Sequence, residues 1–171
     1  MAGVMDLSEQ KLRRPYPVNQ LKWRPGPKGG ELVYIDARDV MNRLDEVMGQ
    51  NMWQSKFDWV GERMICTISC YCSLLSEWIS KSDGADDSQI ESAKGGCSDS
   101  FKRAGVHWGI GRYLYHPEAF DKNRNPAPWA TPEGFDELMD QRSIKSAVIV
   151  GKPGEEPNTA AGDTISLNIR R

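Results

Sequence analysis

The sequence predicts an α+β fold in which a small curved antiparallel β-sheet packs against a long glycine-containing helix. Three observations carry that reading. Residues 36 to 49 hold a helical stripe of apolar side chains with its own start and stop signals. Residues 64 to 82 alternate apolar and polar side chains and turn back on themselves, and residues 91 to 115 keep a helical period although Gly95, Gly96 and Gly105 interrupt it.

Taken in order, residues 1 to 20 are polar and carry Arg13, Arg14, Pro15 and Pro17, which predicts a flexible N-terminal arm with no more than a short helical turn. Leu21 to Gly30 reads as a turn-rich loop anchored by Trp23, and Leu32 to Ile35 as a short strand. Asp36 is a good N-cap for a helix whose Ala37, Val40, Met41, Leu44, Val47 and Met48 fall at three- and four-residue steps, ended by Gly49. Trp53 to Val60 is an extended element with aromatic anchors at Trp53, Phe57 and Trp59. From Met64 to Leu74, Met64, Cys66, Ile68, Cys70, Cys72 and Leu74 share one parity, so on a strand they point to one face. Leu75 to Glu77 is a hairpin turn, and Trp78 to Ser82 returns antiparallel. Asp86, Asp87 or Ser88 is available to cap the glycine-containing helix. Beyond Tyr115 the chain is proline-rich, Phe135 to Gln141 predicts one more short helix, and residues 131 to 171 otherwise read as a largely flexible acidic tail.

A glycine in a helix interior costs about 1 kcal/mol relative to alanine, so something must come close to the backbone around Gly95, Gly96 and Gly105. Ile90, Cys97, Phe101, Ala104 and Trp108 form the core stripe of this helix, while Lys94, Ser98 and Lys102 follow a row on another face with Arg103 beside it. Such a helix is suited to gripping a phosphate backbone, the small residues admitting the strand and the Lys102-Arg103 pair neutralising it. An ordinary surface helix with solvated charges accounts for the same residues.

Composition narrows the class. The 171 residues are long enough for one domain with a core and a tail, the longest apolar runs are far too short to span a bilayer, and the first ten residues lack the order of a secretory signal, which predicts a soluble cytoplasmic protein. The formal charge is −2; residues 1 to 115 carry fifteen Lys/Arg against fifteen Asp/Glu, and the remainder seven against nine, so any nucleic-acid contact must be local. The spacing of Cys66, Cys70 and Cys72 does not match a zinc knuckle, and these residues with Cys97 read as buried reduced thiols. The loop at Asp83 lacks the ligand order of a calcium site. No phosphate-binding loop is present, since Gly151-Lys152 is followed by Pro153, and Gly109-Ile110-Gly111 lacks the third glycine of a dinucleotide loop. His107 and His116 have no paired carboxylate at an evident spacing. The reading is of a non-enzyme with no cofactor and no metal.

Two stretches resemble a known family. Tyr34-Ile35-Asp36-Ala37-Arg38-Asp39-Val40-Met41-Asn42-Arg43-Leu44-Asp45, with Gly49 and Trp53, resembles the first conserved helix of the Rad fifty-two/twenty-two family of strand-annealing recombination proteins. Lys81-Ser82-Asp83-Gly84, Ser98 to Ala104, and Trp108-Gly109-Ile110-Gly111-Arg112-Tyr113-Leu114 resemble the second, especially in its bacterial and bacteriophage branch. The resemblance covers residues 21 to 116. It implies a ring- or filament-forming DNA-binding and annealing domain over residues 21 to 130, which holds single-stranded DNA in an outer groove and pairs complementary strands without ATP in recombination and double-strand-break repair. It also implies that Lys102 and Arg103 grip the DNA backbone. Arg38 lies one position before the family's usual basic residue, which Asp39 occupies, and Val106 replaces a further base, leaving Arg112 as a substitute. Lys94 and Lys81 complete the candidate DNA contacts.

Annealing requires a strand held by its phosphates with its base edges free, whereas a protector of the OB-fold type stacks bases on aromatic platforms. With Phe101 and Trp108 assigned to the core stripe, the helix favours annealing. A ring repeats a few contacts along one strand and makes the later ones intramolecular. The expected partners are single-stranded DNA, its complement and further copies of the chain, with the acidic tail a candidate site for a host single-strand-binding protein. A non-annealing protector and a phage structural or adaptor protein are the alternatives.

Overall fold

A computed structural model of the chain describes residues 7–26, 29–85 and 92–149, without the side chains of residues 7, 92–94 and 143–149. Four α-helices and five strands follow one another as α1 (Leu7–Arg13), β1 (Lys22–Pro25), β2 (Glu31–Tyr34), α2 (Ala37–Met48), β3 (Trp53–Val60), β4 (Arg63–Cys72), β5 (Glu77–Ala85), α3 (Ser92–His107) and α4 (Pro132–Ile149). The fold class is α+β, as the sequence predicts. No helix among the described residues is long and apolar enough to cross a membrane.

The main sheet is an antiparallel meander in the order β3-β4-β5, and α3 lies across β4 and β5. The parity of β4 explains this. Met64, Cys66, Ile68 and Cys70 are buried on one face, where Cys66, Ile68 and Cys70 share a core with Phe101 and Ala104 of α3 and Val40 and Leu44 of α2. Each fully buried Phe, Leu or Ile contributes about 1.5–3 kcal/mol, so this face fixes the strand register. All four cysteines are free thiols, and burial pushes those of Cys66 and Cys70 up to about 12. Leu74, read as the end of that apolar row, is instead 89% exposed, because pairing stops at Cys72 and residues 73–76 form the turn. Trp59 and Trp78 are also exposed, and Trp78 meets Tyr71 edge-on at 5.6 Å.

Helix α2 begins where its sequence says. The Asp36 side chain accepts from the backbone N–H of Arg38 and Asp39, and the Asp39 carboxylate accepts from the Asp36 N–H, a complete capping box. Lys22 pairs with Asp36 and holds its carboxyl down to about 2.

Three segments differ from the expectation. The loop Leu21 to Gly30 contains β1, paired with β2 from Lys22↔Tyr34 to Pro25↔Glu31, so the turn residues Pro25 and Gly26 close a two-stranded ribbon. Residues 7 to 20, expected as a flexible arm, pack against the body: Leu12 and Tyr16 are buried in the core. Buried Arg43 donates to the carbonyls of Lys11 at 3.0 Å and Arg14 at 2.6 Å, with its guanidinium 4.2 Å above the Tyr16 ring. Arg14 forms a two-pronged pair with Asp136 at the start of α4, which extends well beyond the short helix expected at 135–141. The tail from residue 150 and the capping residues Asp86, Asp87 and Ser88 lie outside the described residues.

The glycines of α3 serve packing rather than a ligand. A β-carbon at position 105 would lie 2.9 Å from Val40 Cγ1, so Gly105 lets α2 and α3 approach closely. Gly96 faces Met64 of β4, and only Gly95 opens onto free space. The object that comes close to this backbone is the protein itself.

Candidate nucleic-acid interface

Because Phe101 and Ala104 turn into the core, Lys102 and Arg103 must turn outward from α3. Lys102 Nζ lies 3.2 Å from Asp99 Oδ1 on the preceding turn. Arg103 reaches the sheet instead, donating from Nε and Nη2 to Asp83 Oδ1 of β5, both at 3.3 Å. His107 Nε2 sits 3.1 Å from the other oxygen of the same carboxylate. Burial pushes the Asp83 carboxyl up, but the Gly84 N–H, His107 and Arg103 outweigh it and hold the group below its ordinary value. Asp99 thus pairs with Lys102 and not with the adjacent Arg103.

The carbonyl end of α3 gathers two more of the expected cations. Arg112 donates to the carbonyls of Val106 at 2.9 Å and His107 at 2.8 Å. Lys81 donates to the His107 carbonyl at 3.2 Å and lies 4.3 Å over the Trp108 ring. Both stabilise the negative end of the helix dipole while leaving positive charge beside Arg103.

A cleft of about 1090 Å³ runs between the β1-β2 ribbon, the outer face of α3 and the segment 111–124. Lys102 and Arg103 line it. Lys81 and Arg112 stand outside its lining, and so does Arg38, which is exposed on the first turn of α2. Lys94 lies in the first turn of α3 with its side chain outside the described part.

Three further cations share the lining: Arg24, Lys122 and Arg124. Arg24 lies 5.6 Å over the Tyr34 ring. Arg124, at φ +65°, stands in a turn where its N–H donates to the Asp121 carbonyl at 3.1 Å, and its guanidinium makes a two-pronged pair with Glu31 and lies 5.1 Å from the Trp23 ring centre. Lys122 makes no ion pair among the described residues. Against these five cations stand three carboxylates, Asp99, Glu31 and Asp121, an excess of two positive charges in a chain whose formal charge is −2. No spacing rule could have found the three extra cations, because they come from a ribbon and a loop about a hundred residues apart.

Residues 5–68 and 69–129 match the model of the Rad52/22 family double-strand break repair protein, nearly three quarters of the chain. The chain belongs to the Rad52/22 family. Among curated relatives, the single-stranded DNA-binding protein DdrA of Deinococcus deserti is 30% identical over 144 residues, covering 73% of this chain and 70% of that protein. DdrA of Deinococcus radiodurans is 28% identical over 142 residues, covering 73% and 68%. The family match begins at residue 5, ahead of the stretch 21 to 116 that carries the resemblance in sequence, and so takes in α1 with its buried Leu12 and Arg43-held carbonyls.

Proposed function

We propose that the chain binds single-stranded DNA in the cleft beside α3 and anneals complementary strands without ATP, as a homo-oligomer acting in double-strand-break repair and recombination. The observation that carries this reading is the net-positive cleft with Lys102 and Arg103 on its wall in an otherwise slightly acidic chain. Family membership and the single-stranded DNA binding named for both DdrA relatives support it.

The acid partners of the two cations do not remove them from use. The Lys102 and Arg103 side chains are 28% and 49% exposed, and exposed ion pairs of this kind contribute only about 0–1 kcal/mol. A polyanion that also releases its condensed counterions competes well against such pairs. Phosphate contacts leave the base edges free to sample a complement, and repetition around an assembly turns a few contacts per subunit into a continuous track. The acidic C-terminal tail is proposed to contact a host single-strand-binding protein, and the chain to work in the cytoplasm.

The test mixes complementary oligonucleotides without ATP. The wild-type chain accelerates pairing; a protector retards it, and an adaptor neither retains DNA nor changes the rate. Lys102→Ala with Arg103→Ala reduces single-strand affinity and lowers the slope of log affinity against log salt by about 1.4, two contacts at about 0.7 each. A double variant with wild-type affinity and slope refutes the assignment of the cleft.

A further inference from the structure

Five aromatic rings line the cleft, and four of them are engaged. Trp23 meets Phe120 edge-on at 5.3 Å and faces the Arg124 guanidinium; Tyr34 lies under Arg24; His116 meets Trp129 edge-on at 5.0 Å. Tyr115 is the exception. It is 72% exposed, and its ring has no ring contact, hydrogen bond or ion pair among the described residues.

This ring stands on a fixed backbone. Tyr115 ends a 3-10 turn, residues 112–115, that opens at Gly111 with φ +66°, where a side chain would also strike Ile35 Cδ1 at 2.8 Å. The two residues before it are anchored: Leu114 packs against the core, and the Tyr113 hydroxyl accepts the Tyr16 backbone N–H at 3.1 Å. Around it the lining supplies Lys102 and Arg103, with Arg24 and Lys122 free of acid partners among the described residues. A pre-placed bare aromatic face in a concave, positively charged wall matches the two needs of a single strand, a planar base and a phosphate, and only a single strand presents unstacked bases.

We infer that Tyr115 is the base-stacking platform of the cleft: a strand whose phosphates are taken by Lys102, Arg103 and Lys122 lays one nucleobase flat on this ring. The inference rests on the proposed single-stranded DNA binding and adds a contact to the base. Stacking occupies the face of a base and leaves its pairing edge open, so one platform per subunit fixes the register of the strand without blocking a complement. Every base has such a face, and the site is therefore tolerant of sequence.

The experiment uses the full chain with oligo(dT) carrying 5-iodouracil, irradiated and analysed by mass spectrometry, alongside equilibrium binding. The expected adduct maps to Tyr115. Tyr115→Ala weakens single-strand binding by about 5- to 150-fold, the loss expected for one stacked base, with the salt slope unchanged because no phosphate contact is lost. Tyr115→Phe keeps wild-type affinity, and an oligonucleotide of abasic sites binds wild type and Tyr115→Ala equally. Wild-type affinity in Tyr115→Ala, or adducts that map only elsewhere, overturns the inference while leaving DNA binding intact. Failure of the wild-type chain to retain any oligonucleotide at low salt overturns the proposed function itself.

Discussion

Replacing Gly105 with alanine separates two jobs that a glycine on this helix could do. At position 105 a methyl group would sit 2.9 Å from Val40 Cγ1, and Val40 is fully buried. The substitution gains about 1 kcal/mol of helix propensity, while overpacking a closed core costs about 1–3 kcal/mol, so the net effect is a loss of up to about 2 kcal/mol. Val40→Ala alone leaves a void and costs roughly 2–3 kcal/mol. In the double variant the new methyl occupies space that Val40 has vacated, so the two losses fail to add by at least about 1 kcal/mol. Urea unfolding of the four members of this cycle measures the coupling, with unchanged m-values showing that the native fold persists. Additivity within about 0.5 kcal/mol refutes the close approach of α2 and α3. If Gly105→Ala instead leaves stability untouched and abolishes DNA retention, the glycine admits a ligand and the packing account is wrong.

Asp83→Asn removes the carboxylate shared by Arg103 and His107 and frees the guanidinium, so single-strand affinity rises about 2- to 5-fold, the equivalent of about 0.5–1 kcal/mol; a fall in affinity measured by fluorescence anisotropy counts against Arg103 as a phosphate contact. Asp36→Ala removes the cap of α2 and costs about 0.5–2 kcal/mol, read as a lower urea midpoint. Because the Asp36 carboxyl is held below its ordinary value, down to about 2, its contribution is present above about pH 4 and disappears as pH falls from about 4 to 2. Solvent screening of this partly exposed group limits that contribution to about 1 kcal/mol, and an acid titration of Asp36→Ala lacks the corresponding step. Arg43→Ala strands the carbonyls of Lys11 and Arg14 and costs about 2–4 kcal/mol, with early proteolytic cleavage in residues 7–20; unchanged protection there disproves the clamp.

The elements that could be read from sequence are those whose signals are local. Helix α2 carries its cap, stripe and terminating glycine within fourteen residues, and β4 shows its buried face by parity alone. The ribbon strand β1 was hidden because Pro25 and Gly26, which close its turn, also mark irregular loops. Residues 7–20 were hidden because the buried anchors are few, Leu12, Pro15 and Tyr16 in a polar stretch, and the residue that fastens them, Arg43, lies on another helix. At the site, Lys102 and Arg103 could be placed outward because the core stripe around them is local. The partner of Lys102, Asp99, is local at three residues' separation, but that of Arg103 is not, since Asp83 reaches it from twenty residues away, and Arg24 and Lys122 join the cleft only through the tertiary fold. The glycines gave a true signal with the wrong object: a close approach exists at Gly105, and Val40 makes it.

The clamp between the two ends of the domain has a consequence for biosynthesis. Tyr16 bonds to a residue 97 positions later, and Arg14 to one 122 positions later. A ribosome working at about 5–20 residues per second leaves Arg14 waiting about 6 to 24 s for Asp136 to be made. Until residue 113 is made the Tyr16 N–H lacks the hydroxyl it meets in the finished fold, so residues 7–20, though synthesised ahead of the rest of this domain, are among the last of it to settle.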